Sequence, residues 1–296
     1  MPLVVVSFAL LVAALAFGAI ADPEWWKVVI LGVVQGITEW LPISSTGHLL
    51  IVANLLDFQG SIGGTFEIAI QLGTVLSVVA FYARDLLGQG RALLGQSSPE
   101  ATADARRLWL GVLIAFIPAA VVGLLARDFI KAVLFDTAEV IAVALIVGGV
   151  IFLLIERRPP RLATTAALGQ ISPLQALGVG VAQVFALIPG VSRSGSSIVG
   201  GLLAGLDRRT ATAFSFYLSI PTLGLATLVD LLSSLDRIGP ADWGRLALGA
   251  VVAMIVGYLT IGWLLRYIAR NSFVAFGIYR IAMGLLILAL AATGLL

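Results

Sequence analysis

Cysteine is absent from the chain, and histidine occurs once. Disulfides, thiol nucleophiles and cysteine metal sites are thereby excluded, and redox chemistry gives no reading of the compartment. Charge is scarce as well. Asp, Glu, Lys and Arg make up 11% of the 296 residues, against about 25% in a typical soluble domain. The formal net charge of +2 is too small to point to nucleic acid, and the arginines fall in short loops rather than on one basic face. No Walker Gly-Lys-Ser/Thr pattern occurs, so the glycine-rich run 199–205 reads as close helix packing rather than a nucleotide loop.

Apolar residues fill the space that charge leaves: 60% of the chain is hydrophobic, and the mean hydropathy is +1.07. They come in blocks too long for one soluble core, which makes the chain an all-α polytopic membrane protein. Leu3 to Ala21 is an uncharged run of 19 residues, just long enough to cross about 30 Å of hydrocarbon. Ala19-Ile20-Ala21 resembles a signal-peptidase site, but no basic residue precedes the run, so the expectation is an uncleaved helix. Trp25, Trp26 and Lys27 then read as an interfacial anchor. Uninterrupted spans are expected at about 65–82, 107–126, 138–155, 211–231, 245–265 and 273–295.

Two apolar segments are interrupted at mid-depth. From Val28 to Val52 the interruption is Gly36, Glu39, Pro42 and Ser44-Ser-Thr-Gly-His48; over 172–206 it is Pro189-Gly190. A helix that enters, breaks and turns back accounts for such a pattern better than a clean span. The two segments align at a constant spacing of 148 residues: Gly32 with Gly180, Gln35 with Gln183, Ser44 with Ser192, Thr46 with Ser194, Gly47 with Gly195. Such a string marks an internal repeat. The expected organisation is an extension at 1–22, a first repeat at 23–160 and a second at 161–296, each a re-entrant pair followed by three spans. Eleven Lys and Arg residues lie in loops 83–107, 156–171, 207–210 and 266–272, and five on the opposite side, so the first set is expected in the cytoplasm. The halves then have opposite topology, an architecture that puts a site near the midplane between broken helices.

Ionisable residues inside membrane segments are expensive, and here they are few: Glu39, His48, Glu67, Arg193 and Arg280. Gln35 and Glu39 stand four apart on one helix face and offer oxygens to a divalent cation such as Mg²⁺ or Ca²⁺. Ser45 and His48 are three apart, within reach if a helix starts after Pro42, with Ser44 or Ser45 suited to its N-cap. His48 can then serve as base, acid or phosphoryl acceptor, with Ser45 as the alternative nucleophile. Around Pro189-Gly190 the hydroxyls of Ser192, Ser194, Ser196 and Ser197 and the N-terminus of a helix read as an anion cradle. Arg193 adds a bidentate fork for phosphate oxygens. The plainer alternative for Arg193 is an inter-helix ion pair with Glu39. Glu67 and Gln71, also four apart, read either as a support behind the site residues or as partners of Arg280, and Ser215 and Ser219 read as inter-helix glue.

Gln35-Gly-Ile-Thr-Glu39, Pro42-Ile-Ser-Ser-Thr-Gly-His48 and Pro189-Gly-Val-Ser-Arg-Ser-Gly195 resemble the motifs of the bacterial undecaprenyl-diphosphate phosphatases, also called bacitracin-resistance proteins. Thr65-Phe-Glu-Ile-Ala-Ile-Gln-Leu-Gly73 and Phe276-Gly-Ile-Tyr-Arg280 are similar to that family too, and the resemblance covers about residues 24–295. It implies two interlocked inverted repeats in the bacterial inner membrane, with the site open to the periplasmic side. It also implies metal-dependent hydrolysis of undecaprenyl diphosphate to the monophosphate and phosphate, recycling the lipid carrier for cell-wall polymers.

By resemblance, Glu39 serves metal binding or base work, Ser45 and His48 serve as nucleophile and in proton transfer, and Arg193 with Ser192 and Ser194 binds the diphosphate. Ser44, Thr46 and Gly195 belong to the same substrate-binding motifs. Many members have Glu where this chain has Gln35, whose amide oxygen ligates a metal without bringing charge. The competing reading is a transporter or flippase of polyprenyl phosphate, because broken midplane helices are also transporter architecture. If the chain self-associates, a homodimer is the commonest form.

Overall fold

A computed structural model of the protein describes residues 24–58, 65–126, 138–157, 165–239 and 242–295. The expected N-terminal helix or signal at 1–22 lies outside the described residues. Eleven α-helices are described: α1 (Trp25–Thr38), α2 (Ser45–Leu55), α3 (Thr65–Phe81), α4 (Ala83–Leu93), α5 (Pro99–Leu125), α6 (Ala138–Arg157), α7 (Pro173–Val184), α8 (Arg193–Leu203), α9 (Arg208–Leu232), α10 (Asp242–Ile268) and α11 (Val274–Ala292). Five of them, α5, α6, α9, α10 and α11, are long and apolar enough to cross a membrane. The chain is a multi-pass membrane protein.

Local sequence accounts for several helix starts. Ser98 accepts the Ala101 N–H ahead of Pro99, so α5 begins well before the apolar stretch expected from residue 107. Asp207 caps α9 by accepting from Thr210 N, and Ser172 with Gln175 closes a capping box on α7. The span expected at 65–82 is α3, which runs to Phe81; the loop expected from residue 83 begins instead with α4, which leaves α3 at 68°.

Both interrupted segments are broken. The first ends as a helix at Thr38, turns, and restarts at Ser45; the second ends at Val184, passes through a 3₁₀ turn at Phe185–Leu187, and restarts at Arg193. Each second arm is 11 residues long. Packing crosses between the halves of the chain, for α1 lies on α10 and α7 lies on α5. Without a strong hydrophobic drive between helices in lipid, small residues allow that approach. A Cβ on Gly32 would stand 3.0 Å from the Gly249 carbonyl, and one on Gly180 would stand 2.5 Å from the Ala115 carbonyl. Gly200 and Gly201 pack as tightly, against Ala182 and Ala211, which bears out the reading of the 199–205 run as helix packing.

Candidate active site

The two turns meet in the interior. The first runs from Glu39 to Ser44 and the second from Ile188 to Ser192. Ser44 (φ 71°, ψ 104°) and Ser192 (φ 75°, ψ 118°) both take left-handed backbone as the last residue before a helix. Non-glycine residues hold such conformations only where their surroundings impose them. Ser194 Oγ donates to the Leu41 carbonyl at 3.1 Å, joining turn to turn.

One cation spans both. Arg280 of α11 has no exposed surface and donates to five carbonyls: Pro42 (3.1 Å) in the first turn, Gly190 (3.1 Å) and Val191 (3.0 Å) in the second, and Ala144 and Leu145 on α6. A Cβ on Gly148 would overlap the guanidinium. Of the two readings of Glu67 and Gln71, the one that pairs them with Arg280 is therefore corrected. Its planar fork serves the Pro42, Gly190 and Val191 carbonyls that the two helix breaks leave free, and reaches two further carbonyls inside α6.

Glu39 gathers the chemistry. Its Oε2 accepts from Ser45 Oγ at 2.8 Å and from Gln35 Nε2 at 3.3 Å, while Oε1 faces Arg193 Nη2 at 3.4 Å. The side chains of Glu39 and Arg193 are each 8% exposed. Arg193 also donates through Nη1 to the Ser215 carbonyl at 3.0 Å and its hydroxyl at 3.3 Å. Its guanidinium lies 5.2 Å from the centre of the Trp40 ring, whose Nε1 donates to Ser77. The Arg193 Nε–H is buried without a partner. Such an unpaired charged donor is costly unless a ligand takes it.

Other expected contacts differ. His48 does not reach Ser45. Its Nδ1 is 2.7 Å from the Ser44 carbonyl and its Nε2 2.7 Å from the Tyr279 hydroxyl. Ser44 is the N-cap residue of α2 without a capping side-chain bond, whereas Ser192 accepts from Gly195 N at 3.1 Å. The serine cradle is largely self-satisfied. Ser192 and Ser194 share a hydrogen bond, and Ser196 and Ser197 both donate to the Arg193 carbonyl. Carbonyls at a helix start compete for nearby hydroxyls, and here they hold those of Ser196 and Ser197. Thr46 is half-buried on the first turn of α2, and Gly195 is buried beside Arg280. Ser215 links α9 to Ser197 at 2.7 Å as inter-helix glue, but Ser219 bonds only the Phe216 carbonyl of its own helix.

Trp40 and Tyr279 are the contributors that residue-by-residue reading missed. Trp40 is apolar by type, and Tyr279 is 231 positions from His48. The signal for both was adjacency, to Glu39 and to Arg280.

Among the described residues, no group of three or more His, Asp or Glu side chains converges as a metal cluster. Glu39 with Gln35 still suits Mg²⁺, which is commonly held by one or two carboxylates and substrate phosphates. Turning the Gln35 amide over would present its oxygen beside Glu39 Oε2 to such a cation.

Residues 28–286 match the family described as bacitracin resistance protein BacA. An undecaprenyl-diphosphatase of Deinococcus radiodurans is 47% identical over 276 residues, covering 92% of this chain and 97% of the relative. Undecaprenyl-diphosphatase 1 of Burkholderia lata is 46% identical over 274 residues, 90% of this chain and 96% of its own length. The protein of that name from Paraburkholderia xenovorans is 47% identical over 274 residues, 91% and 96% of the two chains. With a match of this extent, the chain belongs to the bacitracin resistance protein BacA family.

Proposed function

We propose that this protein is an integral-membrane phosphatase that hydrolyses undecaprenyl diphosphate to undecaprenyl phosphate and inorganic phosphate. The observation that carries the reading is the Glu39 carboxylate, with the Ser45 hydroxyl on one oxygen and Arg193 on the other. Nucleophile, base and phosphate-binding cation stand on two turns that touch.

In the free protein Arg193 and Glu39 neutralise each other. An arriving diphosphate takes Arg193, including the unpartnered Nε–H, and releases Glu39 for base work. Ser45 Oγ attacks the terminal phosphorus in line, its proton passing to Glu39 Oε2. The bond from that phosphorus to the bridging oxygen breaks, and the oxygen leaves with the electron pair as the lipid monophosphate. Water then cleaves the seryl phosphate, Ser45 takes its proton back from Glu39, and phosphate departs. Arg193 neutralises charge on the transferring group throughout. A divalent cation held by Glu39 and the Gln35 amide oxygen would supply further neutralisation of the diphosphate.

The halves at 23–160 and 161–296 form inverted repeats in this reading, supported by the paired left-handed serines and the exchanged packing of α1 and α7. The membrane is the bacterial inner membrane with the site open to the periplasmic side, supported by the excess of Arg in the loops expected in the cytoplasm.

The test is phosphate release from a long-chain isoprenoid diphosphate by detergent-purified protein, with and without Mg²⁺ or Ca²⁺. Release is expected from wild type and lost in Arg193→Ala and Glu39→Gln. Release that persists in both variants would place the chemistry elsewhere.

A further inference from the structure

We propose that Tyr279 is a positioning residue for this reaction, holding through His48 the turn that presents Ser45 to Glu39; the role rests on the phosphatase reading above. A carbonyl only accepts, so the 2.7 Å contact with the Ser44 carbonyl requires the proton on His48 Nδ1. That leaves Nε2 as the one nitrogen able to exchange a proton, and it faces the Tyr279 hydroxyl at 2.7 Å. The two rings are within 5° of parallel. Both imidazole nitrogens are thus engaged, and neither faces Ser45. The base next to Ser45 is Glu39.

What His48 does hold is the Ser44 peptide. Ser44 has left-handed backbone, and its own side chain makes no capping bond. At the aligned position in the second turn, Ser192 fastens itself by accepting from Gly195 N. The imidazole holds the Ser44 peptide by its carbonyl instead, and Tyr279, next to Arg280 on α11, fixes the plane of the ring. A small displacement of Ser44 moves Ser45 off Glu39, and misplacement on the ångström scale is enough to cost a large factor in rate.

The single histidine of the chain makes the arrangement directly readable. In full-length protein labelled with ¹⁵N-histidine, the one imidazole is expected to carry its proton on Nδ1. In Tyr279→Phe the Nε2 resonance is expected to shift while Nδ1 keeps its proton. In the same preparations, Tyr279→Phe should lower kcat for isoprenoid-diphosphate hydrolysis by about tenfold with KM nearly unchanged. His48→Gln, which retains an amide donor for the Ser44 carbonyl, should keep more activity than His48→Ala. The double variant Tyr279→Phe/His48→Gln should be no worse than His48→Gln, because the residues act as one unit.

A wild-type imidazole with a bare Nδ1 would overturn the proposal, as would unchanged kcat in Tyr279→Phe or additive losses in the double variant. Wild-type protein that releases no phosphate would overturn the phosphatase reading and this role with it, and the tautomer would separate that failure from an error in the hydrogen bonding.

Discussion

The first and second turns both close on a serine with left-handed backbone and differ in how that serine is held. Ser192 supplies its own cap, and the hydroxyls of Ser196 and Ser197 are tied to the Arg193 carbonyl, so this end of the second turn is largely fastened by its own residues. Ser44 supplies no cap, and its carbonyl is taken by His48, which in turn depends on Tyr279 of a distant helix. The free hydroxyl of the first turn, on Ser45, is the one that points at a carboxylate. In the proposed reaction, a turn that spends side chains on its own backbone would serve as a mount for Arg193, and a turn braced from outside would leave the Ser45 hydroxyl and the Glu39 carboxylate to react. Arg280 is what the two have in common.

Removing that common element should have the largest effect. Arg280→Leu leaves the three turn carbonyls of Pro42, Gly190 and Val191 without their donor, each costing about 1–3 kcal/mol, a large fraction of the roughly 5–15 kcal/mol stability of a native protein. The expected outcome is loss of a monodisperse peak on size exclusion. A well-folded, active Arg280→Leu protein would separate the fates of the two turns.

Next comes Arg193→Lys, which keeps charge but loses the fork that spans Ser215, Glu39 and the unpartnered Nε–H. Phosphate release should fall by about 10²–10³-fold, the scale of losing a preorganised donor, with folding retained.

The smallest effects sharpen the contrast itself. Ser192→Ala should lower stability by about 1 kcal/mol, as loss of an N-cap does, and Ser44→Ala should stay within about 0.5 kcal/mol. Thermal unfolding of both variants in the same detergent reads the difference. Equal losses would mean that the turns are fastened alike.

Much of this was legible in the sequence, because membrane burial makes every polar residue conspicuous. Glu39, Arg193 and the Gly32/Gly180 spacing pointed to two turns and to the scaffold that brings them together. What escaped was of three kinds. The acceptors of Arg280 are backbone oxygens, which carry no side-chain signature. The Tyr279 contact with His48 joins residues 231 positions apart, and a tyrosine in an apolar helix looks like packing. The hydroxyls of Ser196 and Ser197 looked available to phosphate, but within a helix they find the carbonyl one turn back before any ligand. The helix that follows the 68° bend after Phe81 lies in a charged, glycine-containing stretch that reads as loop.

The division of labour between the turns is tested most directly by Ser45→Ala, assayed for phosphate release from a long-chain isoprenoid diphosphate beside Ser192→Ala. The account predicts that Ser45→Ala binds substrate with nearly normal affinity and releases no phosphate, while Ser192→Ala remains an active enzyme. Turnover by Ser45→Ala at the wild-type rate would contradict it, because the hydroxyl held by Glu39 would then take no part in the reaction.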